Sequence, residues 1–539
     1  MKPGGIGHAD AKVHEVGGLT PRGGFMGRPL SIFRALPDKI ALFDCCRESV
    51  HKTVGGCLRG MLGRFMFPWF SLLALVVAGN GLPAGACHAR DLQSKPNILL
   101  IVADDLGIEL GVYGDPVAAT PRLDALARNG VWFETAWVTT ASCSPSRASI
   151  FTGLFPHQHG LTGLSHHGYS AHEGLPTIVS ELSDAGYRTA IIGKLHIEPT
   201  ELTPWDFAYT MRNGFDLIVG ERDVATMAEM ARGFFDAPSP EPFFLTVSYY
   251  DPHVPFHDQK HGLPEKVLTA DDVPAFKQLG FDSDEARTAT TSYYNCVARL
   301  DAGIGMLLDY LEESGQLANT LILVIGDHGA PFARTKTTLY DRGLRVPFIM
   351  SHPSLAGSGG KPSGHLVSTV DIFPTLLDAA GLPSPENLPG QSLWGLARGG
   401  ELAARPYLFG EHHAHQRHAW FPMRTIRSQD YQLIENLNPG TVRPAPGVDG
   451  SPVWRGPQDG EPLVPNLQEV YATYFQPPRF ELYDMAKDPH GFNNLADDPA
   501  HAETKAGLMA ALRDWQAETG DPYLSPEYLA EKNEEHAHE

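Results

Sequence analysis

Four continuous apolar runs, each ending in ionisable residues, constrain this chain more than any other feature. Residues 96–103 lead into Asp104-Asp105, and 188–192 lead into Gly193-Lys194-Leu195-His196. Residues 243–249 are followed by Asp251-Pro252-His253, and 320–325 by Gly326-Asp327-His328-Gly329. Unbroken runs rich in Val, Ile and Leu fit strands buried on both faces, as in a sheet covered by helices. Helical patterns lie between them. Thr120 before Pro121 has the composition of a helix start over 121–127, and residues 300–311 are amphipathic. The pattern predicts an α/β fold with helices on both faces. In open α/β sheets ligands sit outside the C-terminal strand ends, so the runs deliver their Asp, Lys and His residues to one edge.

From about residue 385 Pro, Gly and polar residues increase and the strand–helix alternation weakens. The expected organisation is a catalytic domain over 95–385 and a smaller α+β C-terminal domain over 386–539. Within the latter, 436–468 reads as a long excursion, 481–484 as the start of an element and 500–518 as a helix. The charged tail 531–539 reads as frayed. Residues 1–60 are Gly-rich, basic and aperiodic, and read as an upstream extension. Met61-Leu62-Gly63-Arg64, the apolar run 65–79 and Ala84-Gly85-Ala86 make a signal peptide over 61–86. The run is shorter than the ~20 residues of a bilayer span. The expectation is a start at Met61 and export to the periplasm or outside the cell. A retained anchor, and a lipid on Cys87 directly after the cleavage pattern, are the alternatives.

Forty-two Lys and Arg face 63 Asp and Glu, for a net charge of −21. That balance excludes the broad basic face of non-specific nucleic-acid binders. An anionic substrate then requires a local cluster of cations or a metal ion. Of the six cysteines only Cys87, Cys143 and Cys296 follow the signal peptide, so there is no disulfide framework despite the export signal. One of those cysteines needs another explanation.

Cys143-Ser144-Pro145-Ser146-Arg147, continued to Thr152-Gly153, is the most specific motif. Taken alone, a single cysteine is most often a small buried hydrophobe. The pairs Asp104-Asp105 and Asp327-His328, taken alone, read as caps or solvated turns. Together they offer three carboxylates and an imidazole, and hard divalent cations take several oxygen ligands. Lys194, His196, His253 and Lys336 gain weight from their shared position after strands.

In this order the motifs resemble the type I sulfatase family, and the resemblance runs from Pro96 to about Leu524. Several stretches are similar to the sulfamidase branch, the heparan N-sulfatases. They include His157-Gln158-His159-Gly160, residues 204–210, Gly329-Ala330-Pro331-Phe332, Thr338-Leu339-Tyr340, Pro422-Met423-Arg424 and Glu518-Thr519-Gly520-Asp521-Pro522. The resemblance implies an alkaline-phosphatase-like fold with a large central sheet. It implies formylglycine made from Cys143 by a formylglycine-generating enzyme, and one Ca2+ held by Asp104, Asp105, Asp327 and His328, another divalent ion being the alternative. Arg147 and Lys194 would hold the nucleophile's hydroxyls, with Asp105 or the metal helping to deprotonate it, and His196 would take the second hydroxyl's proton. His253 and Lys336 would contact the sulfuryl oxygens, and His415 the sugar. The physical logic is that a sulfate or sulfamate is anionic and has a poor leaving group, which a cation and lysines offset.

The implied substrate is a sulfated saccharide, with N-sulfoglucosamine as first choice. Four departures stand out. His328 occupies a place where many members have Asn, and Lys336 one where sulfamidases have Arg. Gly491 replaces a Glu, and within 411–418 only His415 matches well. Three alternatives follow: a carbohydrate O-sulfatase, a phosphonate monoester or phosphodiester hydrolase of the same superfamily, and a glycan-binding protein whose cysteine is never converted. The sequence leaves the oligomeric state open.

Overall fold

The central sheet is built on the four apolar runs. A computed structural model describes residues 95–536 except 211–221, 359, 361, 443–456 and 458–459. The expectations for 1–60, 61–86, Cys87, much of 436–468 and the last three residues fall outside the described residues. In chain order the strands are β1 (Asn97–Asp104), β2 (Val131–Trp137), β3 (Arg188–Gly193), β4 (Phe207–Thr210), β5 (Phe243–Pro252), a short β6 (Phe281–Asp282), β7 (Thr320–Gly326), β8 (Phe348–Ser351) and β9 (Pro362–Ser368). Eight of them form one sheet in the order β4-β3-β5-β1-β7-β8-β2-β9. Within it β8 alone runs antiparallel, pairing with β7 and β2. The C-terminal ends of β1, β3, β5 and β7 therefore share one edge.

Alternation inside the apolar runs shows why they carry no polar face. In β1, Leu99, Ile101 and Ala103 enter one hydrophobic cluster, and Ile98, Leu100 and Val102 enter another on the opposite face. Val224–Asp236 and Asp284–Glu313 cover the first face through Met227, Val297, Leu300 and Ile304. Cys143–Thr152, Ile178–Asp184 and Ile372–Ala379 cover the second through Ile150, Leu182 and Phe373. Each fully buried Leu or Ile contributes about 1.5–3 kcal/mol.

Three expectations change in detail. The amphipathic stretch 300–311 is the end of a 30-residue helix, Asp284–Glu313. Between 290 and 301 it buries Thr290, Thr291, Asn295, Arg299 and Asp301, and those polar residues hide the apolar stripe. Thr120 occupies the N-cap position of Pro121–Arg128 without capping. Its hydroxyl instead accepts from Gly111 N (2.9 Å) and donates to Asp124 Oδ1 (3.1 Å). The tail expected to fray is helical over Pro526–His536, where Asn533 Oδ1 accepts from Trp420 Nε1 at 3.1 Å and Asn438 Nδ2 at 2.7 Å.

A second, antiparallel sheet contains β10 (Leu408–His412), β11 (Met423–Arg427), β12 (Tyr431–Asn436) and β14 (Phe480–Asp484), while β13 (Glu461–Pro462) pairs with β6. Ile426, Leu433 and Leu482 meet Leu508, Leu512 and Trp515 of the helix Ala502–Thr519. Among the described residues no helix is long and apolar enough to cross a membrane.

Candidate active site

Two strand ends are stitched together first. Asp104 closes β1, and Asp105 turns out of it with φ 67°, a left-handed conformation unusual for a residue with a side chain. Its N–H donates to Asp327 Oδ1 (2.9 Å), and its carbonyl accepts from the Tyr293 hydroxyl (3.0 Å). Asp327, just after β7, donates its N–H to Ala103 O (3.0 Å).

Cys143 is the first residue of a helix whose every residue is buried. Arg147 lies one turn on, at the four-residue spacing that places both on one helix face. Its Nε donates to Asp327 Oδ2 (2.9 Å), and its Nη1 to Lys194 O (2.9 Å) and Ser248 Oγ (2.7 Å). Its Nη2 stands 3.4 Å from Asp104 Oδ1. One guanidinium thus joins the ends of β1, β3, β5 and β7. Lys194 Nζ contacts Asp104 Oδ2 at 2.6 Å, and Lys336 Nζ contacts both oxygens of Asp105 at 2.9 and 3.2 Å.

His328 Nε2 lies 3.3 Å from Cys143 Sγ, 3.2 Å from Asp105 Oδ1 and 3.8 Å from Asp327 Oδ1. Its Nδ1 donates to Gly329 O at 2.9 Å. That bond commits the ring proton to Nδ1 and leaves Nε2 as a lone pair facing a carboxylate. Two acceptors at this distance need a proton or a metal ion between them. Donor atoms of Asp104, Asp105, Cys143 and His328 all fall within 4.8 Å of one another, and Asp104 Oδ1 is buried without a hydrogen bond. The cluster is compatible with a divalent metal. Asp327 borders it with both oxygens already engaged.

His253 enters from the D-P-H turn, its Nε2 3.9 Å from Asp105 Oδ2. Arg222 Nη2 donates to its carbonyl (2.7 Å), and Arg299 binds Asp251 through two bonds of 2.8 and 2.7 Å. His196 follows β3 with φ 59°, and its Nε2 is 2.8 Å from His166 Nδ1. His415 is fully buried, its Nδ1 2.9 Å from the hydroxyl of Ser142, the residue before Cys143.

Charge and burial set the protonation states. Burial alone would raise Asp104, but Lys194, His253 and Arg147 hold its carboxyl well below the usual range. Burial and the neighbouring Asp104 charge push Asp327 up. Burial pushes the Cys143 thiol well above its ordinary value, so it is a neutral thiol and not an activated thiolate. Burial, with the charges of Lys194 and Arg147 and the neighbouring His166, holds the His196 imidazole well below its ordinary value, so the ring is neutral. Burial opposes the charge on Lys194, and Asp104 restores it.

The sequence-predicted residues Asp104, Asp105, Cys143, Arg147, Lys194, His253, Asp327, His328 and Lys336 thus meet at one sheet edge. The reasoning from sequence missed Ser248, Tyr293, Arg222 and Arg299, which hold that edge. Ser248 was readable as the polar residue inside an apolar run, whereas Tyr293 lies 188 positions from its partner Asp105 and gives no local signal. The segment expected to face the sugar turns inward for most of its length, since Glu411, His412, His413 and His415 are buried. The Glu411 carboxylate accepts from His157 N (2.6 Å) and Nδ1 (2.7 Å). Arg424 binds Asp521 through bonds of 2.6 and 2.8 Å. Arg417 reaches the surface and donates from Nε to His167 O (2.8 Å).

Comparison with known proteins places this geometry. Residues 96–382 match the family model described as Sulfatase, and residues 326–441 match that of the N-sulphoglucosamine sulphohydrolase C-terminal region. The chain is 35% identical to human N-sulphoglucosamine sulphohydrolase over 482 residues, 82% of this chain and 93% of the relative. A solved structure of a putative sulfatase from Bacteroides thetaiotaomicron superposes with a TM-score of 0.61 at 24% identity, covering 80% of this chain and 94% of the other. Phosphonate monoester hydrolase of Agrobacterium radiobacter superposes with a TM-score of 0.61 at 21% identity, covering 79% and 96%. These last two likenesses concern the fold alone.

Proposed function

The chain belongs to the sulfatase family, and from that premise we propose that it hydrolyses the sulfamate of N-sulfoglucosamine in saccharides of the heparin or heparan type, acting outside the cytoplasm. The observation that carries the reading is the convergence of Arg147, Lys194, Lys336 and His253 with three aspartates around a buried Cys143 at one sheet edge. The likeness to the human relative, named for that substrate, favours nitrogen-linked sulfate.

Formylglycine at position 143, made by a formylglycine-generating enzyme, supplies the hydroxyls of an aldehyde hydrate for attack on sulfur and for release of sulfate. Asp104, Asp105, Asp327 and His328 would hold a divalent cation, which supplies Lewis-acid stabilisation of developing charge. Three carboxylates favour Ca2+ among hard cations, and the nitrogen of His328 widens the choice. Lys194 and Arg147 orient the reacting group. Lys336 and His253 bind the sulfo oxygens, and one of them protonates the departing nitrogen. His196 accepts the proton released on the return to the resting state. Conversion matters because a hydrate has a second hydroxyl whose deprotonation expels sulfate, which a plain Ser or Cys ester cannot do.

Matured protein with Ca2+ is expected to release sulfate from N-sulfoglucosamine and not from glucosamine 6-O-sulfate. Release from the second alone would make it a carbohydrate O-sulfatase. Release from neither, with position 143 converted, would favour the phosphonate reading. Export predicts that protein recovered from its host begins near Cys87, and a retained N-terminus at Met1 would overturn that part.

A further inference from the structure

His196 is held by another histidine. The two ring nitrogens, His196 Nε2 and His166 Nδ1, stand 2.8 Å apart, with the rings stacked at 5.0 Å and 21°. His196 Nδ1 is buried without a hydrogen-bond partner. His196 follows the end of β3, two residues after Lys194, and Ser165 links its carbonyl to Ser144 beside Cys143. His166 is exposed, stands 4.3 Å from the ring of His167, and belongs to the short turn Ser165–His167.

That turn is fixed from three sides. Ser165 N donates to Ser144 Oγ (3.1 Å), next to the nucleophile, and Ser165 Oγ contacts His196 O (3.4 Å). Arg417 Nε, from the second-sheet segment, donates to His167 O (2.8 Å).

An N···N pair at 2.8 Å holds a single proton, because two N–H groups cannot point at each other. We propose that His166 is a positioning residue for His196: its Nδ1 accepts the Nε2–H of His196, which fixes that tautomer and leaves the buried, unpartnered Nδ1 of His196 as the bare base. When His196 takes a proton at Nδ1, the ring becomes an imidazolium with its Nε2–H still on neutral His166. The positive charge is then stabilised by a charge-assisted hydrogen bond. When Nδ1 gives the proton up, the starting tautomer returns and no proton is gained or lost. The inference rests on the sulfatase reading for the identity of the proton donor, but the tautomer itself does not depend on it.

The test pairs kinetics with 15N NMR of histidine side chains. His166→Ala in matured protein should lower kcat for sulfate release about 10- to 100-fold with KM nearly unchanged, part of the about 10²–10⁴ that general acid–base assistance supplies. His166→Gln, whose amide oxygen can accept the same bond, should recover most of the loss. In unconverted Cys143 protein, His196 should appear as the Nε2–H tautomer, and His166→Ala should mix the two tautomers. An unchanged kcat in His166→Ala, or a His196 that is Nδ1–H with His166 intact, overturns the proposal. If wild type releases no sulfate from any sugar, the sulfatase reading fails, while the tautomer measurement still decides for or against the histidine pair.

Discussion

Among the described residues, two clusters of acids and histidines meet the geometric condition for holding a metal ion, and they differ in what their atoms already do. Around Asp104, Asp105, Cys143 and His328, His328 Nε2 stands 3.2 Å from a carboxylate oxygen, Asp104 Oδ1 and Arg147 Nη2 face each other at 3.4 Å without a hydrogen bond, and the nearby His196 Nδ1 also lacks one. Around His157, Glu411 and Asp521, each acid has a built-in counterpart. Glu411 pairs with His157, and Asp521 with Arg424 and with Gln516 Nε2 (2.7 Å). Buried polar atoms that lack partners cost free energy, so a fold that leaves several at one strand edge holds them for something else. In the second cluster His157, Glu411 and Asp521 are all hydrogen-bonded, and it is the neighbouring His413 ring, not an acid, that lacks such a bond. This cluster fastens the turn after the nucleophile helix to the second sheet.

This difference can be broken most severely at position 143. Cys143→Ala should lower kcat by on the order of 10³–10⁶, as nucleophile removals do, and leave thermal stability nearly unchanged. Retained turnover would remove the reading of the first cluster. Asp327→Asn should lower metal affinity and activity together, by about 10²-fold or more, as followed by metal analysis and sulfate release. Full metal occupancy in that variant would refute the ligand role. Chelation should abolish activity at one bound ion per chain, and a second ion lost together with stability would erase the distinction between the clusters.

Asp521→Asn inverts the expectation. Arg424 would be left buried with half its pairing, costing about 3–5 kcal/mol in unfolding experiments, while metal content stays the same. The smallest effect concerns pH. Burial opposes both charges of the His157–Glu411 pair, yet each partner holds the other ionised, so Glu411 lies well below and His157 above its ordinary value. A lowered carboxyl contributes stability that is present above its unfolded value, about 4.3, and is lost as pH falls through the folded one. A raised histidine contributes stability that is present below about 6.5 and is lost as pH rises through its folded value. Wild type should therefore lose a little stability above about pH 6.5 as well as in acid, and His157→Gln should remove the alkaline loss. A variant with the same alkaline slope as wild type would contradict the pairing.

Legibility in the sequence followed the reach of each interaction. β1, β3, β5 and β7 were readable because burial on both faces leaves unbroken apolar runs, and their last residues marked the site edge. The antiparallel β8 was not readable, since strand direction depends on partners far along the chain. Half of the helix Asp284–Glu313 was hidden by buried polar residues such as Asn295 and Arg299, whose partners Leu268 and Asp251 lie in distant segments. The edge where Asp104, Asp105, Cys143, Arg147, Lys194, His253, Asp327, His328 and Lys336 meet was legible through its motifs. Its supports were not: Tyr293 under Asp105, and Ser142 against His415, are single contacts across 188 and 273 positions. Gly491, a departure from the family pattern, has φ 67°, a backbone state that favours glycine.

The central claim is that the first cluster works only after Cys143 is converted, and the most direct measurement is the mass of the peptide carrying residue 143 from protein made in its native host. The account predicts formylglycine, lighter than cysteine because an aldehyde oxygen replaces the thiol sulfur and two hydrogens, in step with sulfate-releasing activity across preparations. An intact thiol in protein that is fully active would contradict it.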